Sequence, residues 1–153
     1  MPSPEFNQIV DLIKSLPDNE GLPWEERRTG MEESVAILPV AEGVESEPVR
    51  IGDMQAEWIV PPEIDNDAVI LYLHGGGYCI GSIETHRSMI SFFAITAKAK
   101  VLMIDYRLAP ENPFPAAVED AVAAYRWLLN QGTSPQRLII SGDSAGGGLT
   151  VAT

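Results

Sequence analysis

The sequence predicts an α/β fold built on a parallel sheet, and three observations carry that prediction. Short, continuously apolar runs recur at residues 68–73 (AVILYL), 101–106 (VLMIDY) and 137–142 (RLIISG), as strands buried on both faces require. Helix-like stretches separate them at residues 87–98 and 115–130. Glycine-rich turns follow the first and third runs directly. Strand, helix, strand, helix, strand is the order of a right-handed crossover sheet.

Taken from the start of the chain, Phe6, Ile9, Val10, Ile13 and Leu16 fall at helical spacing, and Pro17 stops the run. An amphipathic helix over 5–16 is expected. A second short helix is expected over 23–33, with Pro23 in its first turn. The β-branched runs at 35–40 and 55–60 suit two strands of a hairpin or meander, and Pro61-Pro62 ends the second. The 115–130 segment is rich in alanine and sets Val118, Val122, Tyr125, Leu128 and Leu129 on one side, as a helix packed on the sheet would. The division that follows is a small acidic helical segment over 1–34 and a core over 35–153. There is no internal repeat and no low-complexity tract.

At 153 residues and 45% hydrophobic, the chain has the composition of one ordinary globular domain. Its net charge of -12 is unevenly spread: residues 1–67 hold 16 Asp/Glu against 4 Lys/Arg, whereas residues 68–153 hold 6 against 6. Neither half offers the clustered positive field that nucleic acid or an anionic membrane needs, so no partner of either kind is expected. The acidic front reads as a solvated surface. A single cysteine, Cys79, forms no internal disulfide. The first residues lack a basic region followed by an apolar one, and no run approaches the ~18 apolar residues of a membrane span. A cytoplasmic protein is the expectation.

The strongest chemical signal is Gly142-Asp143-Ser144-Ala145-Gly146-Gly147, placed after a strand run and before an apolar stretch. Gly-x-Ser-x-Gly in that context is the sharp strand-to-helix turn that exposes a serine hydroxyl at the end of a sheet, where only small residues fit two before and two after it. The helix N-terminus behind it offers free N–H groups to a developing negative charge. The blander reading of the pentapeptide alone is a glycine-rich loop that turns the chain or holds a phosphate. A second signal, His74-Gly75-Gly76-Gly77-Tyr78, follows the first strand run. Glycines there let backbone N–H groups approach an oxyanion without side chains in the way. No Gly-x-Gly-x-x-Gly and no Gly-Lys-Ser/Thr ending supports a nucleotide site instead. No His, Cys, Asp and Glu cluster has metal-ligand spacing, and no cofactor is expected.

HGGGYCIGS with the following IETH, then DYRLAPENPFPAA, then GDSAGGGL resemble, in this order and spacing, the hormone-sensitive-lipase-like esterases, the GDXG group (family IV) of the α/β-hydrolases. The resemblance runs from about Val35 to Thr153. It implies an α/β-hydrolase fold that stops after the nucleophile elbow, with the N-terminal helices forming part of a cap over the site. It further implies a carboxylic-ester hydrolase acting on a small-molecule ester, in which Ser144 attacks the carbonyl while the N–H groups of Gly76, Gly77 and Ala145 hold the oxyanion. His74, Gly75 and Asp143 are then motif residues that support the loops. His86 reads as a fold histidine, Arg107 and Glu111 as buried or half-buried loop supports, and Cys79 as a small apolar filler.

A serine of this kind needs a base and an orienting acid, which in this fold come after the serine, in the order serine, acid, histidine. The sequence extends nine residues past Ser144 and holds neither. The expectation is an N-terminal fragment that is inactive alone, with residues 138–141 left as an apolar sheet edge. The alternative class is a non-catalytic small-molecule binder or receptor on the same scaffold. Oligomeric state is not legible.

Overall fold

The computed structural model describes residues 2–15, 21–65 and 67–153. Its elements are α1 (Pro4–Ser15), α2 (Trp24–Val35), β1 (Glu45–Ile51), β2 (Met54–Val60), β3 (Val69–Leu73), α3 (Ile83–Ala97), β4 (Lys100–Ile104), α4 (Ala116–Asn130), β5 (Leu138–Gly142) and α5 (Ala145–Ala152). The strands form one five-stranded sheet in the order β1-β2-β4-β3-β5. β1 and β2 make an antiparallel hairpin, β2 meets β4 antiparallel, and β3 runs parallel to both β4 and β5. The three apolar runs are thus the parallel part of the sheet.

Alternation along these strands builds two cores, one on each face. Leu71, Leu73, Leu102 and Ile104 point to the face covered by α4 and α5, where Ala121, Ala124, Leu128 and Leu149 meet them. Ile70, Tyr72, Val101 and Met103 point to the other, against Ile83, Ile90 and Ala94 of α3. The buried face of α4 centres on Ala121, Ala124 and Leu128, and Val118 and Tyr125 of the expected stripe pack partly buried beside them. Small side chains let that helix sit close to the sheet. On the opposite face, Arg87 of α3 forks onto Glu57 of β2 at 2.7 and 2.9 Å, which pairs a carboxylate that is only 6% exposed.

Three sequence expectations are corrected. Residues 35–40 are not a strand: α2 runs to Val35, Ala36 caps it, and Ile37 and Leu38 are left exposed. The first strand is Glu45–Ile51, whose polar composition hid it because it is an edge strand with most side chains in water. α3 starts at Ile83 and not at residue 87, since Ser82 and Thr85 form a reciprocal capping box. Pro23 lies just outside α2. Helix α1 begins at Pro4; Leu16 and Pro17, which were to close it, lie outside the described residues. No helix among the described residues is long and apolar enough to cross a membrane. β5 is an edge of the sheet, and its Ile139 is 51% exposed.

Candidate active site

Register brings the two glycine-rich turns together. Leu73 of β3 is level with Gly142 of β5, so the chain leaves both strands at the same height, one strand spacing apart. After β5 the backbone passes through Ser144 at φ 50°, ψ -118°, and α5 begins at the next residue. A serine held there is strained, because an L side chain rarely adopts positive φ. Its hydroxyl is exposed and, among the described residues, has no hydrogen-bond partner. The glycines flanking it are sterically required. A Cβ on Gly142 would strike the Leu73 carbonyl and fall 2.6 Å from the Gly146 backbone, and a Cβ on Gly146 would land on the Leu73 carbonyl oxygen and 2.7 Å from that of His74.

The loop after β3 closes on itself: the N–H groups of Cys79 and Ile80 both donate to the Gly76 carbonyl, at 3.1 and 3.0 Å. Gly76 has φ +118°, and a Cβ there would overlap the Ile80 carbonyl oxygen. Among the described residues, the N–H groups of Gly76, Gly77 and Ala145 donate to no protein acceptor. Gly75 differs, for its N–H donates to Asp143 Oδ1 at 2.8 Å. The same oxygen receives the Tyr72 hydroxyl at 3.1 Å and stands 3.3 Å from His86 Nε2. Asp143 is therefore a three-way tie between the elbow, the neighbouring loop and α3. Burial, and then the facing Asp143 charge, push the Tyr72 phenol well above its usual range and keep it a donor.

His74 is 2% exposed and stacks on Tyr106 with ring centroids 4.2 Å apart. Its Nδ1 donates to the Gly75 carbonyl at 2.8 Å, and the Tyr106 hydroxyl donates to the His74 carbonyl at 2.6 Å. Burial lowers its pKa to about 4, against a smaller opposing effect of the Gly75 bond, so the ring is neutral near pH 7 and holds its loop. His86 is buried too, in contact with Thr85 Oγ1 at 2.8 Å through Nδ1. Neither ring bonds to Ser144.

Arg107 and Glu111, expected to be buried or half-buried, are exposed. Arg107 holds the start of α4 through Asp120 and Glu119, at 2.8 and 3.0 Å. Glu111 pairs with Arg28 of α2 at 2.7 Å, which keeps its carboxyl below the usual range. Cys79 is half-buried. The sequence reading passed over Arg28, Tyr72 and Tyr106.

The family described as alpha/beta hydrolase fold matches residues 70–153. An acetyl-hydrolase of Streptomyces hygroscopicus is 44% identical over 155 residues, spanning 99% of this chain and 50% of its own. A carboxylesterase of Mycobacterium tuberculosis is 40% identical over 114 residues, 71% of this chain and 34% of its own. The crystal structure of an esterase from the bacterial hormone-sensitive lipase family superposes with a TM-score of 0.88 at 45% identity, over 99% of this chain and 51% of that one. The chain spans about half the length, or less, of these relatives. With its sheet order, its elbow and its glycine loop in register, the chain belongs to the α/β-hydrolase family and is similar, along its own length, to the hormone-sensitive-lipase-like esterases.

Proposed function

We propose that the chain supplies the nucleophile and the oxyanion hole of a carboxylic-ester hydrolase that acts on small-molecule esters. The observation that carries the reading is the pairing of an exposed serine at positive φ with three unbonded backbone N–H groups, on loops leaving adjacent strands at one level. Ser144 Oγ attacks the ester carbonyl as its proton passes to a base. The carbonyl oxygen becomes an oxyanion, and the N–H groups of Gly76, Gly77 and Ala145 are the donors that hold it. Collapse breaks the bond to the alkoxy group, which leaves as the alcohol on taking the proton. Water then attacks the acyl-serine by the same route and releases the acid. Among the described residues His74 and His86 are committed to holding the loops, so neither is the base. Residues 138–153 are then part of an active site completed by other residues, and the chain alone is inactive.

The relatives named as an acetyl-hydrolase and a carboxylesterase support an ester substrate. The experiment is labelling of the intact gene product with a fluorophosphonate, beside assay with p-nitrophenyl acetate. Stoichiometric labelling of Ser144, and loss of both label and turnover in Ser144→Ala, is the expected result. Turnover that survives the substitution removes the reading.

A further inference from the structure

We infer that Arg28 of α2 is a positioning residue for the oxyanion loop, acting across the interface between that helix and the core. The inference rests on the esterase reading above. The guanidinium makes four hydrogen bonds to three residues in two separate segments. Nε donates to the Cys79 carbonyl at 2.8 Å, Nη2 donates to the Ala109 carbonyl at 2.9 Å, and Nη1 and Nη2 fork onto the two Glu111 oxygens at 3.1 and 2.7 Å. These partners lie 51 to 83 residues away in the chain. Local helix stability needs none of them.

What they have in common is the loop. Cys79 is the residue whose N–H closes the turn onto the Gly76 carbonyl. Ala109 donates its own N–H to the Tyr78 carbonyl at 2.8 Å. Arg28 therefore donates to the carbonyls on both sides of that junction and keeps Tyr78-Cys79 registered on Ala109. Tyr78 directly follows Gly77 and sits at φ 62°, a conformation that a non-glycine residue holds only when its surroundings impose it. One turn further along the same face of α2, Glu32 accepts the Ser82 hydroxyl at 2.7 Å. The helix thus grips the segment 79–82 at both ends, between the oxyanion loop and α3.

A planar fork with donors on three nitrogens can make all four of these bonds at once, whereas an ammonium, with three donors on one nitrogen, cannot. If Arg28 serves the direction of the Gly76 and Gly77 N–H groups, its loss acts on the transition state more than on substrate binding. The test uses the intact gene product with p-nitrophenyl acetate, comparing wild type, Arg28→Gln, Arg28→Lys and Arg27→Gln. Arg27 lies over the Trp24 ring and serves as the control. Expected are a fall in kcat of about 10- to 100-fold in Arg28→Gln with KM within about threefold, a smaller fall in Arg28→Lys, and little change in Arg27→Gln. Partial recovery of Arg28→Gln kcat by added methylguanidinium is expected as well. Where Arg28→Gln does not fold, the Arg28→Lys protein decides by the same split between kcat and KM. An Arg28→Gln protein that folds and keeps kcat within threefold, or an Arg28 variant whose change lies in KM alone, overturns the inference while leaving the esterase reading intact. A wild-type protein without turnover overturns both.

Discussion

Asp143 accepts the Gly75 N–H at 2.8 Å, and through this one bond the turn after β5 fixes the turn after β3. Two loops 68 residues apart in the chain become one rigid surface. The bond also explains why Gly75 must be glycine, since a Cβ there would collide with the Asp143 carboxylate.

Asp143→Ala is expected to loosen that surface. It deletes the acceptor of Gly75, Tyr72 and His86 together, so turnover of the intact gene product should fall about 10²-fold, the scale of an ångström's misplacement at a reacting centre. Asp143→Asn keeps an acceptor oxygen for Gly75 and should retain turnover within about tenfold. Kinetics of the two variants, read beside urea unfolding, check this. Equal losses in both would mean that the charge, and not the tie, is what matters.

At Ser144 the backbone itself makes a prediction. Positive φ at a non-glycine residue costs on the order of 1–3 kcal/mol, and glycine is released from that cost while alanine is not. Ser144→Gly should therefore unfold at higher urea than Ser144→Ala, by about 1 kcal/mol, with neither forming an acyl-enzyme. A lower midpoint for the glycine variant would show that the elbow is not strained.

The motif glycines and the two buried strands β3 and β4 were legible in the sequence because their reasons are local: a sharp turn, a close approach, a side chain buried on either face. The third apolar run pairs with β3 as expected but, as an edge, leaves Ile139 51% exposed. The edge strand Glu45–Ile51 was not, for it buries almost nothing and so carries no apolar pattern. The run at 35–40 misled for the opposite reason: it is apolar, yet only Val35 belongs to a helix and the rest forms the turn after it, with Ile37, Leu38 and Val40 exposed. Within the site, Ser144 and the glycine loop could be read from spacing. Arg28 and Tyr72 could not, because their partners lie 51 and more residues away and only the folded sheet brings them close.

Glycine substitutions separate crowding from backbone strain. At Gly146 a Cβ lands on the Leu73 carbonyl, whereas at Gly77, with φ +62°, a Cβ meets nothing within 4 Å. Gly146→Ala should thus cost about 2 kcal/mol or more in urea unfolding, as overpacking does. Gly77→Ala should cost only about 1 kcal/mol, the left-handed penalty of an L residue. In the intact gene product Gly76→Val, which must displace the Ile80 carbonyl, should lower turnover by about 10²- to 10³-fold. Normal turnover would reduce the loop to a simple turn.

Stability against pH sets two buried groups in opposition. His74 has its folded pKa lowered to about 4 by burial, below the ordinary 6.5. Its contribution is complete above pH 6.5 and is lost as pH falls towards 4, on the order of 3 kcal/mol in all. Asp105, which accepts the Ile83 N–H at 2.7 Å, has its pKa raised from 3.8 to about 6, first by burial and further by Glu32, Glu84 and Glu57 nearby. There the sign reverses: the folded state holds the proton longer than the unfolded chain, so ionised Asp105 is a penalty present above pH 6 and relieved as pH falls towards 3.8. The two slopes cancel in large part between pH 4 and 6. Asp105→Asn keeps the acceptor for Ile83 and removes the relief. The variant should be more stable than wild type at pH 7 by about 2 kcal/mol, and should lose stability more steeply on acidification, by up to ~1.4 kcal/mol per pH unit. Urea titrations of both proteins at half-unit intervals from pH 4.5 to 8 give the two curves. Parallel curves, or an Asp105→Asn protein weaker at pH 7, would show that the carboxyl beside the α3 N-terminus is ionised there without strain.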